Sequence, residues 1–376
     1  MKSIINKLLN LTYKKSFIVF SVLISVFFAS NAISNTNLNK IFNNHIENTS
    51  PQIRLENNQK KIDVLLLLAL PAAGKSEIRN YLSSYSQKDR LDLFNIGEMV
   101  QIDDFPYVYM MRRISEELDK MNLDPIFYPS SALPFNDPKD WGSLIYLINE
   151  DYSDIIEQNY PSPISAAEWL FDRLDQAREK AGCDPKLSKL SFQNRQKLAS
   201  ILEEEAQNLL QDKLKEISIA SQENITVVIE FSRGGAAEST MPLPQPYGYQ
   251  HSLSLLSPEI LNNSSILYTL VSPEESRVKN KNRADPDKPN SILHHYVPFT
   301  VMVKDYGCDD IEWLIQNSDQ ENTIKINTKE NTYHISIRVL DNKKDQTTFA
   351  RKDSWSEKEI KKFQKELNKV LEKLTA

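Results

Sequence analysis

Glycine is scarce. The chain has 376 residues and only 8 are glycine, against a usual share of about 7%. Each glycine therefore marks a place where backbone turns or must lie close to something else. Two cysteines, Cys183 and Cys308, are too few for a disulfide scaffold and too far apart for a metal knuckle, so both read as buried or incidental thiols. A long basic run is also missing, and the net charge is −6. That argues against a nucleic-acid groove, and no nucleic-acid partner is expected. There is no internal repeat, and no Asp or Glu precedes Glu47.

A charged fraction of 26% and a hydrophobic fraction of 40% are those of a soluble globular protein. The length allows one large domain or two smaller ones. The first residues stand apart. Lys2, Lys7, Lys14 and Lys15 precede an uncharged run over 16–34, whose apolar part, 17–29, has the length of a signal-peptide core and is short for a membrane span. Small residues at Ser30 and Ala32 suit cleavage after Ala32. Residues 1–34 are expected to be a signal peptide or membrane anchor, with possible membrane contact through 16–34. The acid-free start also fits an organelle presequence or a leader added upstream. Export or membrane attachment conflicts with chemistry that needs ATP, so the location stays open. Residues 35–60 are rich in Asn, Gln, Ser and Thr and read as a disordered linker.

Strand-like apolar runs follow at 62–68, 99–102, 226–231 and 266–271, each trailed by loop and helix signals. That alternation predicts a parallel sheet with helices on both faces. Helical periodicity fills the interval 107–218, including 140–157, 164–180 and 187–217. So long a connection cannot be bare loop, so it reads as a helical insertion able to cover a substrate. A β pair is expected over 323–327 and 332–340. A closing amphipathic helix is expected over 356–374, with Ser354 or Ser356 as its cap.

The most informative stretch is Ala69-Leu70-Pro71-Ala72-Ala73-Gly74-Lys75-Ser76, set between the first apolar run and a helical pattern. Strand, tight loop and helix with Gly-Lys-Ser at the junction is the layout of a phosphate-binding P-loop. Backbone N–H groups and a helix N-terminus would face a polyphosphate. The Lys75 ammonium would reach the outer phosphates, and the Ser76 hydroxyl would ligate Mg²⁺. Ala69 stands where the motif usually has its first glycine.

Three further groups join this loop. Asp103-Asp104 end the second strand ahead of Pro106, where a carboxylate would accept a nucleophile's proton and another would hold Mg²⁺; the alternative is a pair of helix-start acceptors. Arg112 and Arg113 sit two turns into the following helix, on its surface or at the site. Glu230 closes the third strand in a Walker-B manner, and Arg233-Gly234-Gly235 follow, with Arg233 offering a planar fork for phosphate or carboxylate. After the fourth strand, Ser272, Pro273 and Glu275 start a helix carrying Arg277, Lys281 and Arg283. Its arginines would close over a transferring phosphate, with Pro286 and Pro289 ending it in a polar loop. Asp345 and Arg351 are candidates to fold back on the site. His294-His295 and Cys308-Asp309-Asp310 fit no standard zinc spacing.

These residues resemble the P-loop kinase superfamily of nucleoside, nucleotide and polyphosphate kinases. The blocks at 70–77, 103–107 and 272–277 are similar to bacterial P-loop proteins without an assigned reaction. The Ala-Ala-Gly-Lys core and Pro-Glu-Glu-Ser-Arg helix look like polyphosphate kinases of the second type, although that group's Asp within the loop is absent. The resemblance implies an α/β fold with a P-loop NTPase-type parallel sheet over 61–376, a nucleoside triphosphate such as ATP as donor, and Mg²⁺. The expected site comprises Lys75, Asp103, Asp104, Glu230, Arg233, Arg277 and Arg283 as catalytic groups. Ala69, Ala72, Ala73, Gly74, Lys75 and Ser76 would bind nucleotide, and Ser76 with Asp103 would bind Mg²⁺. The expected activity is phosphoryl transfer to a small acceptor; the alternatives are a nucleotide-dependent switch (an NTPase) or a polyphosphate kinase-like enzyme.

Overall fold

Five consecutive apolar residues without polar alternation, Val64–Leu68, form β1, and every one of them is fully buried. Such a run suits a strand covered on both faces, as in parallel sheets. The computed structural model describes residues 61–283, 296–352 and 354–374. β1 lies between β3 (Ile225–Phe231) and β4 (Ser264–Leu270), pairing parallel to both. With β2 (Glu98–Asp103), β5 (Thr323–Asn327) and β6 (Thr332–Asp341) they form a six-stranded sheet of order β2-β3-β1-β4-β6-β5. All neighbours are parallel except β5 and β6. The chain is thus an α/β protein with a mostly parallel sheet flanked by helices. The chain runs from β1 to β2 on one side and later crosses from β3 past β1 to β4 on the other, a reversal that opens a crevice at the carboxyl ends of the strands.

The strand positions match the sequence reading to within about two residues. The β5–β6 pair forms as expected, but β6 also hydrogen-bonds beside β4 and extends the main sheet. The long connection is helical: α1 (Lys75–Ser83) and α2 (Gln87–Phe94) precede β2, and α3 (Phe105–Lys120), α4 (Asp140–Ile156), α5 (Ala166–Lys180) and α6 (Phe192–Ile219) separate it from β3. α4 is apolar around most of its circumference and belongs to two cores. Leu144 and Leu147 pack with α3, α5 and α6, while Ile145, Ile148 and Ile155 pack against the sheet. A helix with so wide an apolar surface must be sandwiched.

The remaining helices are α7 (Gly248–Ser254), α8 (Pro258–Asn263), α9 (Pro273–Arg283), α10 (Phe299–Lys304), α11 (Ile311–Gln316) and α12 (Glu357–Leu371). Ser272 and Glu275 cap α9 reciprocally, through Ser272 N–H to Glu275 Oε2 at 2.9 Å and Glu275 N–H to Ser272 Oγ at 3.2 Å. Of the two serines considered for α12, Ser356 is the cap, in a capping box with Glu359. Ile360, Phe363, Leu367 and Leu371 line the buried face of α12. Phe363 and Phe349 meet Tyr81 of α1 edge-on, with centroids 4.8 and 6.1 Å away. This aromatic cluster fastens the C-terminal segment to the helix that follows the 69–76 loop.

The described residues belong to one compact unit. Among them no helix is long and apolar enough to cross a membrane. The leader at 1–34, the linker at 35–60, Pro286, Pro289 and His294-His295 lie outside the described residues.

Candidate functional site

The loop at 69–76 leaves the buried end of β1 and turns directly into α1. Ala72 takes φ 58° and Gly74 φ 111°, so two residues adopt left-handed backbone within three positions. At Gly74 only a residue without Cβ fits: a Cβ there would lie 2.5 Å from Thr347 Oγ1 and 2.9 Å from Asn342 Nδ2. The loop is also held from outside. Asn342 Nδ2 donates to Ala73 O at 2.8 Å, Ser276 Oγ to Pro71 O at 2.6 Å, and the Tyr249 hydroxyl to Ala69 O at 2.9 Å. The first N–H groups of α1 have no acceptor within the helix, which is the usual condition for an anion site. Gly74→Ala should therefore push the 342–347 segment off the loop and cost about 1–3 kcal/mol through strain at a left-handed position. Thermal melting checks this; an unchanged melting temperature would mean that the segment yields freely.

Strand register sets the carboxylates. Asp103 and Glu230 are direct partners across β2 and β3, placing two acids side by side at the carboxyl end of the sheet. Ser76 Oγ donates to Glu230 Oε1 at 3.1 Å. Arg79, one turn further along α1, lies 3.2 Å from Glu230 Oε2 and 3.5 Å from Asp103 Oδ2. Burial and the neighbouring Glu230 push the Asp103 carboxyl up to about 7, against the pull of Arg79. Burial works to lower the Arg79 guanidinium, but the two acids more than offset it and hold it above its usual range.

Lys75 is 7% exposed. Its Nζ donates to Ser232 Oγ at 2.6 Å and Ala69 O at 3.4 Å. Burial lowers its pKa, although Glu230, Asp103 and Asp104 pull the other way. Asp104 follows β2, and burial raises its pKa against the attraction of Arg233. Asp103 accepts the Phe105 N–H at 2.9 Å, so it also acts as a helix-start acceptor, whereas Asp104 makes no side-chain cap.

Arg233 takes a different place from the one expected. Its guanidinium is 1% exposed and lies 2.5 Å from Asp104 Oδ2. It also donates to Ser252 Oγ, Ser232 O and Trp141 O. With its donors so engaged, Arg233 holds a carboxylate from behind and does not face the cleft. Arg277 is not brought to the cleft either: it pairs with Glu274 at 2.8 Å on the outer side of α9. Arg283, at the end of the same helix, does line the cleft; its Nε is buried without a hydrogen-bond partner among the described residues, and burial lowers its pKa to about 10. Arg351 and Asp345 do not line the cleft: Arg351 pairs with Glu77 in the first turn of α1, and Asp345 pairs with Lys279 at 3.2 Å.

The cleft these groups share encloses about 100 Å³. Pro71, Lys75, Ser76, Asp103 and Glu230 form one end, and Arg112, Tyr128, Trp141, Asp305 and Tyr306 the other. Asp104 lines the same cleft. Arg113 lies outside it, paired with Glu116, Glu117 and Glu205. Cys183 and Cys308 are free thiols, and Asp309 and Asp310 are committed to the Tyr268 hydroxyl and to the N–H groups of Tyr249 and Gln250. Sequence reasoning missed Arg79, Ser232 and the aromatic wall. Arg79 was within reach of helix periodicity, three residues beyond Ser76; the wall comes from segments far apart in the chain and left no local signal. No protein-family model matches this sequence, and no curated protein matches it either.

Proposed function

We propose that this protein is a phosphotransferase of the P-loop kinase type, moving the γ-phosphoryl group of a nucleoside triphosphate such as ATP onto a small acceptor. The observation that carries the reading is the convergence of Lys75, Ser76, Asp103 and Glu230 where α1 begins, beside a left-handed loop at the carboxyl end of the sheet. In this reading the loop N–H groups cradle the phosphates, and the Lys75 ammonium leaves Ser232 to contact the transferred group. Arg283 adds a second cation with an uncommitted Nε.

The oxygen donors fit Mg²⁺. Ser76 Oγ, Glu230 and Asp103 are hard ligands, and Glu230 Oε2 is buried without a hydrogen bond among the described residues. The described residues contain no cluster of three or more His, Cys, Asp or Glu side chains able to hold an ion alone. That agrees with a cation held by one or two carboxylates together with substrate phosphates and water. When bound, Mg²⁺ would neutralise charge between the phosphates. Asp104 then serves as base: the acceptor hydroxyl oxygen attacks the γ-phosphorus, its proton passes to Asp104, and the bond to the nucleoside diphosphate oxygen breaks. Arg233 keeps that carboxylate pointed at the acceptor. A switch that only hydrolyses nucleotide would use the same residues with water as acceptor.

Asp104→Asn should lower turnover by about 10²- to 10⁴-fold, the usual contribution of a positioned base. Mg-ATP binding should change little, because the loop and Lys75 are untouched. Phosphate-labelled ATP with analysis of the products provides the measurement. Labelled acceptor supports transfer, and free phosphate alone supports the switch. Binding without turnover of either kind in the wild-type protein would overturn both.

A further inference from the structure

We propose that the cleft end away from the phosphate loop is a binding site for a small, neutral polyhydroxylated acceptor, a polyol or monosaccharide. This names the acceptor class for the phosphotransfer reading and rests on it. Three observations carry it.

The first is hydrogen-bonding capacity left unused on buried groups. Asp305 is 3% exposed, lines the cleft, and has its Oδ2 buried with no hydrogen-bond partner among the described residues. The hydroxyls of Tyr128 and Tyr306 line the same space, and no hydrogen bond to them is made among the described residues. Of these atoms Asp305 Oδ2 is the one fully buried without a partner among the described residues, and such a group costs about 1–3 kcal/mol unless a ligand supplies one. Hydroxyl groups both donate and accept, as this set requires.

The second is the wall. Tyr128 stacks on Phe135 at 4.4 Å between centroids, Phe135 meets Trp141 edge-on at 4.9 Å, and Trp141 meets Tyr306 at 5.7 Å. The result is a rigid aromatic surface around a few polar atoms, the composition of a small-molecule site.

The third is charge and size. Arg112 lies 3.9 Å above the Tyr128 ring and donates to Ser131 O at 2.7 Å. It opposes the charge of Asp305, while Arg233 pairs with Asp104, so both acids here already face a cation; Arg283, which also lines the cleft, is left for the phosphates. Burial raises the Asp305 pKa to about 7 against Arg112, which lets its carboxyl serve a neutral ligand in either protonation state. A cavity of about 150 Å³ accepts a benzene-sized molecule. The space here is smaller, about 100 Å³ for the cleft as a whole, so it takes a short polyol, and a sugar ring only where it extends through the open side.

The test uses the full chain with glycerol and glucose as probes, followed by saturation-transfer NMR with and without Mg-ATP analogue. Adenosine, ethanolamine and glycerol 3-phosphate are the contrasts. We expect glycerol or glucose to bind and to become phosphorylated with ATP. Asp305→Ala should weaken that binding about tenfold or more, Tyr306→Phe should weaken it less, and both should leave Mg-ATP affinity and the melting temperature unchanged. Asp305→Ala removes a carboxyl whose buried Oδ2 has no hydrogen-bond partner among the described residues, so no hydrogen bond from that atom is lost. Lys75→Ala should keep polyol binding. If Mg-ATP binds and neither polyol does, or a contrast compound is the one phosphorylated, the polyol assignment falls while the phosphotransfer reading stands. If polyols bind through Asp305 but Mg-ATP does not bind, the site is real and the phosphotransfer reading falls.

Discussion

Lys75→Ala should weaken Mg-ATP binding about 10- to 150-fold, the equivalent of one lost charge-assisted hydrogen bond. Turnover should fall further, on the order of 10²- to 10³-fold, because charge on the transferring phosphoryl group peaks in the transition state. The protein should nevertheless stay folded. Lys75 is buried, and its contacts are one hydroxyl and one long carbonyl bond, at 2.6 and 3.4 Å. Burial already disfavours its charge, so taking the ammonium away removes a cost as well as two bonds. Isothermal titration and a thermal melt on the same sample separate the two effects. A folded Lys75→Ala protein that binds and turns over Mg-ATP as the wild type does would remove the basis for the proposed function.

The second large effect concerns stability. Arg233→Ala should lower stability by about 3–5 kcal/mol, the usual cost of breaking a buried ion pair from one side. For a fold of this size that is on the order of 10 °C in melting temperature. Asp104 would be left 7% exposed without its partner at 2.5 Å, and the cavity beneath Trp141 and Phe231 would lose a guanidinium stacked at 5.0 Å from each ring. Replacing both partners, Arg233→Met with Asp104→Leu, should recover much of the stability, since no charge is then stranded. Turnover should not recover with it. Should Arg233→Ala melt normally and lose only nucleotide affinity, the guanidinium faces phosphate and the placement described above is wrong.

Arg233 shows why the site was only partly legible. Arg-Gly-Gly after a strand ending in Glu reads locally as a ligand-facing turn, and the sequence holds nothing that says which way the side chain points. The direction follows from Ser252, Trp141 and Asp104, which lie 19, 92 and 129 residues away. Arg277 and Arg283 were equivalent on the same helix, but rotation of α9 about its axis turns Arg277 toward Glu274 and solvent and Arg283 into the cleft. Helical spacing specifies which residues share a face; it does not specify which face the fold buries.

What the sequence determined by itself is local. The unbroken apolar run at 64–68 can only be covered on both faces, the Gly-Lys-Ser junction after it makes a strand-to-helix turn, and the helical period across 107–218 rules out open loop. Each of these depends on covalent geometry and on burial of nearby side chains, and each holds in the structure. What only the tertiary structure decided is the pairing of distant segments: β6 beside β4, the 342–351 segment against the 69–76 loop and α1, Asp103 opposite Glu230, and Tyr306 against Trp141 in the cleft wall. Strand order and the alignment of helices come from long-range packing of two hydrophobic cores that share α4, and no short window of residues contains that information.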